Sequence, residues 1–332
     1  MPKKLQKIIE TKIKNNLKLK QYKELNLIEL NEISYLLSKN NYFLEAKEII
    51  DYILKFQKRT GEFIKKEKKE NIIKNTILFL NTITEYLKQN NYNKNKSNFQ
   101  QYIKYIKKSI LIIENNFDPI FLLIKTNKKP INTENIFIAK ENAKILNFAE
   151  DLCQILNEYD FNKIADKLFL LKEKIQLGFK RYFIINNNNN NKEEIILKKF
   201  NTNGEFEFLT KIETLEILEN SKLKNKINLK LELNKLTSNK KEIKTENLII
   251  LLNKLKTINN KEFKKEIKKY YNIFQYSPKK IIITKEYNKN LKIKLSINKT
   301  FNEKTKQIQN YTLKELNNLK ILCLILNIIK NE

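Results

Sequence analysis

No histidine and no tryptophan occur in the 332 residues of this chain, and glycine (3), proline (4) and cysteine (2) are nearly as rare. The lack of histidine removes imidazole acid–base catalysis, Ser-His and Cys-His nucleophilic pairs, and His-ligated zinc. With three isolated glycines there is no GxGxxG fingerprint, no phosphate-loop signature and no GxSxG elbow. Few glycines and prolines also mean few tight turns that need positive φ, so long regular elements are expected. Cys153 and Cys323 lie far apart in apolar, helix-like stretches and form no CxxC; both are expected to be buried, reduced thiols. Met1-Pro2-Lys3-Lys4-Leu5 lacks the apolar core of a secretory signal, and no stretch free of charge is long enough to span a membrane. The expectation is a non-enzymatic protein without cofactor or integral membrane insertion. It should stay where it is made, in the cytoplasm or, if organelle-encoded, in a matrix or stroma.

What is present is a large apolar share, 41%, mostly Ile, Leu, Phe and Tyr, enough for the cores of about two domains. Lysine outnumbers arginine by 64 to 2 and asparagine is abundant, the bias expected of A/T-rich codons. That bias enriches Glu along with Lys, yet the net charge is +29. A surplus of this size favours an anionic partner: nucleic acid, an acidic protein surface or anionic lipid.

From the start to about residue 177, apolar residues recur at helical spacing. Helices are expected at 3–23, 26–39, 42–58, 62–89, 98–115, 133–156 and 160–177. Two stretches share a turn: Ile33 to Leu54, around Asn40-Asn41-Tyr42 with Ala46, and Leu152 to Phe169, around Tyr159-Asp160-Phe161 with Ala165. In each, a helix closes in a polar turn, an aromatic opens the next helix, and an alanine follows where two antiparallel helices would approach closely. This turn resembles that between the two helices of tetratricopeptide repeats, and Tyr86 to Tyr92 looks like an interrupted third copy. The resemblance implies a concave helical surface that binds peptides or proteins.

After Gly178 the pattern changes. Residues 181–185 read as a strand, 194–200 as its hairpin partner across the Asn186 to Asn191 run, and 205–208 as a further strand after Asn203-Gly204. Residues 209–220 return to helical spacing. Strict alternation at 227–233 and 291–297 marks half-buried antiparallel strands, the second pairing with Ile281-Ile282-Ile283. Helices are expected at 245–258 and 261–274, and a final apolar helix over 319–329 follows a capping box at Thr312 and Glu315. The fold class is thus α+β and mostly helical. A helical bundle or hairpin stack (1–177) precedes a smaller, basic mixed region with antiparallel hairpins (178–332).

The carboxylates Glu150, Asp151, Glu158, Asp160 and Asp166 form the one acidic concentration, and their spacing does not collect them on one helical face. A solvated patch pairing with nearby lysines is expected there, with no metal. The cations concentrate instead over 221–320, with 26 Lys against 8 Glu. On a helix, Phe263, Ile267, Tyr270, Tyr271 and Phe274 share an apolar face while Lys264, Lys265, Lys268 and Lys269 spread over the exposed side. Those lysines, with Tyr271 or Tyr276 stacking on unpaired bases, Lys279 and Lys280, Lys292 and Lys294 on a strand, and Arg181 beside Tyr182, are the candidate nucleic-acid-binding residues. Two arginines, Arg59 and Arg181, are too few for bidentate base reading, so binding should follow charge and shape. The leading expectation is a nucleic-acid-associated accessory protein of the ribosome, replication or plasmid-maintenance type, binding RNA or DNA with low sequence specificity. The alternative is a protein-interaction scaffold built on the helical hairpins, with the charge meeting an acidic surface. A third, docking of the 261–276 helix on anionic lipid, uses the same cations.

Overall fold

The computed structural model describes residues 2–18, 21–65, 71–90, 96–126, 135–186, 194–202, 205–208, 217, 241–258, 260–268, 270, 274, 280–285, 291–295 and 319–330. The fold is α+β and mostly helical, with ten α-helices among these residues. The chain forms two compact units. One is Glu24–Ile227; the other joins Met1–Lys23 to Asn228–Glu332.

In the first unit, α2 (Leu27–Lys39) and α3 (Phe43–Leu54) make a hairpin, and α4 (Ile72–Gln89), α5 (Lys96–Asn115), α6 (Ala139–Glu158) and α7 (Asn162–Tyr182) follow. Helix α2 starts at a reciprocal cap: the Asn26 side chain accepts from the Glu29 amide at 2.9 Å, and the Asn26 amide donates to Glu29. Helix α4 packs against α2, α5 and α6 and is buried almost all round, from Ile73 to Leu87. Its buried polar groups are accommodated by bonds such as Thr82 Oγ1 to Asn31 O at 3.0 Å and Thr84 Oγ1 to Leu80 O at 2.7 Å.

Five short pieces of strand lie in and beside this helical region. Strands β1 (Phe117–Asp118) and β2 (Leu123–Ile124) pair with each other, and β3 (Ile136–Ile138), β4 (Ile184–Asn186) and β6 (Phe206–Phe208) all pair antiparallel with the long β5 (Glu194–Asn201). The expected 184–200 hairpin is present, with Ile184 opposite Ile196 and Asn186 opposite Glu194. Its first strand begins later than the expected 181, because α7 continues through Tyr182 before the chain extends. The strands at 117–118 and 123–124 lie in the break between the helices expected at 98–115 and 133–156, and that at 136–138 lies inside the second of these. They are two or three residues long, too short for alternation to register against a helical background. Residues 62–65 are likewise not helical: Phe63 is bridged to Gln57 and its ring packs, tilted, on that of Phe79, and α4 starts only at the Asn71 cap.

In the second unit, α1 (Pro2–Lys18) packs on the terminal α10 (Leu319–Lys330), α10 on α8 (Thr245–Ile258), and α8 on α9 (Asn260–Lys268). Leu5, Ile9 and Ile13 of α1, Leu248, Leu251 and Leu252 of α8, and Ile321 to Ile329 of α10 supply the core. Lys320 pairs with Glu246 at 3.1 Å, tying α10 to α8. A three-stranded antiparallel sheet runs β7 (Lys241–Lys244), β8 (Lys280–Lys285), β9 (Leu291–Leu295). The expected pairing of 281–283 with 291–295 is there, and β7, four residues long, is added to it.

These units divide the chain elsewhere than at 177/178. Strand β5 pairs with β3 and β4 and so binds residues up to 208 to the helical region, while α1 buries its apolar stripe on α10. Strand 227–233, the helical reading of 209–220 other than Ile217, and the Thr312–Glu315 cap lie outside the described residues.

Candidate nucleic-acid interface

Helix α9 shows why four lysines gather on one surface. Phe263 and Ile267, one turn apart, are fully buried, as are Tyr270 and Phe274 beyond the helix end. Burial of this stripe turns the opposite side outward, and there Lys261, Lys264, Lys265 and Lys268 are exposed at i, i+3, i+4 and i+7. They span about 10 Å of helix. Tyr270 is a core residue: its hydroxyl is buried without a hydrogen-bond partner, and burial, helped by the Glu266 charge, raises its pKa.

In the sheet, residues fall into two sets by a period of two. Directly paired residues share a face, so register groups Ile243, Ile281, Ile283, Leu291, Ile293 and Leu295 on one side, with Lys241 and Lys285. On the other side fall Lys244, Lys280, Lys292 and Lys294, with Glu242, Ile282 and Thr284. Lys280 stands opposite Lys244, Lys294 opposite Ile282 and Lys292 opposite Thr284. Lys292 and Lys294 are therefore about 6.7 Å apart along one strand, and the neighbouring strand runs about 4.8 Å away.

Of the residues expected at the interface, Lys264, Lys265 and Lys268 share the exposed side of α9, and Lys280, Lys292 and Lys294 share one sheet face. Arg181 belongs to the other unit, exposed on the last turn of α7 with its guanidinium carbon 5.3 Å from the Tyr182 ring centre. Lys269, Tyr271, Tyr276 and Lys279 lie outside the described residues. Two further members, Lys261 and Lys244, belong to these same faces. Lys261 was legible from its spacing, one turn before Lys264 and Lys265; Lys244 was not, because its strand is only Lys-Glu-Ile-Lys.

The units also divide the charge. Met1–Lys23 with Asn228–Glu332 holds 32 basic and 10 acidic residues, a net of +22, whereas Glu24–Ile227 holds 34 and 27, a net of +7. Most of the +29 thus resides in the smaller unit.

Asp151 receives Lys88 at 2.8 Å, and this hydrogen bond raises the lysine pKa. No cluster of three or more potential metal ligands occurs among the described residues. Cys153 donates to Ala165 O at 3.2 Å, and burial pushes its thiol up to about 11; Cys323 is fully buried and shifted further the same way. Both are buried free thiols, far from thiolate chemistry at neutral pH. No described helix is long and apolar enough to cross a membrane. Neither a protein-family model nor a curated protein matches the chain.

Proposed function

We propose that this is a non-catalytic, nucleic-acid-associated accessory protein that holds the phosphate backbone by charge and shape. The carrying observation is the +22 net charge of the unit formed by Met1–Lys23 and Asn228–Glu332, together with its lysine faces on α9 and the β7-β8-β9 sheet. Lysine is a compact, strongly hydrated point charge that suits phosphate without reading bases. The tyrosine and phenylalanines around α9 that are described, Tyr270, Phe263 and Phe274, are buried, so among the described residues there the exposed groups are cations. Backbone binding of this kind discriminates weakly between sequences.

The test is a salt titration of binding to labelled oligonucleotides, single-stranded, duplex and RNA. Affinity should fall steeply between about 50 and 200 mM salt, as counterion release requires. Combining Lys264→Glu, Lys265→Glu and Lys268→Glu should cut affinity at least about tenfold and make the log–log salt slope shallower by about 3. Salt-independent binding, or a triple variant that binds like the parent, would remove the reading.

A second reading, a protein-binding scaffold, is favoured by one observation in the other unit. The α2–α3 and α6–α7 hairpins turn identically: Tyr42 N donates to Leu37 O and Phe161 N to Leu156 O, both at 2.9 Å, after Asn41 and Asp160 at φ 64° and 65°. The small residues Ser34 and Cys153 each donate to the facing alanine carbonyl, Ala46 or Ala165. Affinity capture in high salt that recovers a stoichiometric protein partner, lost when α6–α7 surface residues are changed, tests it.

A further inference from the structure

Within Glu24–Ile227, α5 lies between two neighbours. On one side sits the 57–64 loop, whose Gln57 side-chain amide donates to Tyr105 O at 3.3 Å and Ser109 Oγ at 3.1 Å. On the other lies α7: Phe99 stacks on Tyr159 at 4.1 Å, Lys107 Nζ is 4.5 Å from the Phe161 ring centre, and Lys174 reaches the Phe117 ring at 5.9 Å. Tyr159 and Phe161, just before α7, meet Phe99 and Lys107 of α5, and Lys174 of α7 meets Phe117 just past the end of α5, so the two helices run side by side in the same direction.

Their solvent faces carry an unusual pairing of side chains. Helix α5 exposes Lys104, Lys107, Lys108 and Leu111 as one stripe, and α7 exposes Lys163, Lys167, Leu170, Lys174 and Leu177 as another, ending at Arg181. Leu111, Leu170 and Leu177 are 51%, 60% and 61% exposed. Ile120, 76% exposed, belongs to the loop whose Phe121 and Leu122 carbonyls lie against Gly178 of α7. On α7 the wheel puts Lys163, Lys167, Lys174 and Arg181 on the edge toward α5, whereas Asp166 and Glu173 fall on the far edge, where Glu173 pairs with Lys172 at 3.0 Å. None of those four cations, nor Lys104, Lys107 or Lys108, has an ion-pair partner among the described residues.

We propose that the α5–α7 seam is a docking surface for an acidic, leucine-bearing helical segment of a partner protein. Leu170 and Leu177 are seven residues apart, about 10.5 Å, the repeat at which a facing amphipathic helix presents its own apolar side chains. The cations on the α5 side of those leucines, Lys163, Lys167, Lys174 and Arg181 with the α5 lysines beyond them, complement carboxylates on the facing edge of such a helix, and Asp166 and Glu173 on the other side of the leucines do not, which sets its orientation. Like charge opposes a second copy of this chain as the occupant, since each carries +29. Nucleic acid fits the cations but leaves the exposed leucines and Ile120 without a counterpart, because bases bind through stacking on rings or polar edge contacts.

The proposal is tested with full-length protein and a fluorescein-labelled helical peptide of about 21 residues, carrying leucine at each seventh position and glutamate along one flank. Oligoglutamate and oligo-dT of the same length serve as competitors. The peptide should bind at least about tenfold tighter than oligoglutamate, and both Leu170→Ser with Leu177→Ser and Lys167→Glu with Lys174→Glu should lower its affinity about tenfold. All these side chains are exposed, and unchanged circular dichroism and melting separate lost docking from lost folding. No binding, equal binding of oligoglutamate, or full affinity in the leucine variant overturns the proposal. Displacement of the peptide by oligo-dT, with the seam variants losing oligo-dT binding, overturns it in favour of nucleic acid at the same surface. The nucleic-acid reading of the α9 and sheet lysines stands or falls separately, on the salt titration.

Discussion

At the residue scale, glycine scarcity makes the glycines that remain informative. A Cβ on Gly178 would stand 2.5 Å from the carbonyl oxygens of both Phe121 and Leu122, backbone atoms that cannot swing aside. Gly178→Ala is therefore expected to cost about 1–3 kcal/mol or more, read as a lower denaturation midpoint, by prising the 119–122 loop off α7. Gly61 has a different reason: its φ is +97°, and its Cα lies so close to α5 that a Cβ would meet Lys108 O at 3.0 Å. Glu141 is the buried titratable group to watch. It is 5% exposed in the first turn of α6, one carboxylate oxygen has no hydrogen-bond partner, and burial raises its pKa against the opposing pull of Lys74, its own amide, Lys140 and Lys144. A carboxyl whose folded pKa is raised favours the fold when protonated, so that stability is fully present below the ordinary glutamate range and is lost as pH rises through the folded value. Glu141→Gln should thus stabilise the fold at pH 7 to 8 by about 1 kcal/mol, read as a higher melting temperature, and the difference should vanish near pH 4. Thermal melts of both proteins across that range check it.

At the element scale, the two equivalent hairpins make a paired prediction. Asn41 and Asp160 both occupy the left-handed region, where a side chain other than Asn or Asp costs about 1–2 kcal/mol. Asn41→Ala and Asp160→Ala should each destabilise by about 1 kcal/mol, and the glycine substitutions should be neutral or stabilising. Urea titrations of the four variants would show it, and unequal responses of the two sites would argue that the turns are not equivalent. These turns were legible in the sequence because a polar pair, an aromatic and a small residue sit at fixed spacing, and α8, with its run of leucines and isoleucines, was legible throughout its length. Element ends were less so. Residues 42–58 read as continuous helix, yet α3 stops at Leu54 because the following loop is held to α5 by Gln57 and Gly61, partners about 50 residues away. Arg181 read as a strand residue beside aromatics. Helix α7 carries it one turn further, because Phe179 and Phe183 bury in the ring cluster around Phe200.

At the scale of the whole molecule, charge and topology decide the interface together. If phosphate binding resides in the unit carrying +22, reversing lysines in Glu24–Ile227 away from the seam should change oligonucleotide affinity far less than the Lys264, Lys265, Lys268 triple reversal, on equal numbers of charges. Electrophoretic mobility shifts at fixed salt give that comparison. The amino-acid sequence by itself determined the composition-level facts: no imidazole chemistry, buried thiols, mostly helical elements, a large positive surplus and the lysine spacing of α9. All of these depend on residue identity or on local periodicity, which the neighbouring few residues set. Only the tertiary structure decided which cations gather. The pairing of β7 with β8 brings Lys244 beside Lys280, and packing of α1 on α10 joins the chain's first residues to its last. Parallel alignment of α5 and α7 sets two rows of cations beside exposed leucines. Such neighbours are far apart along the chain and meet only because burying an apolar face fixes what the opposite face presents.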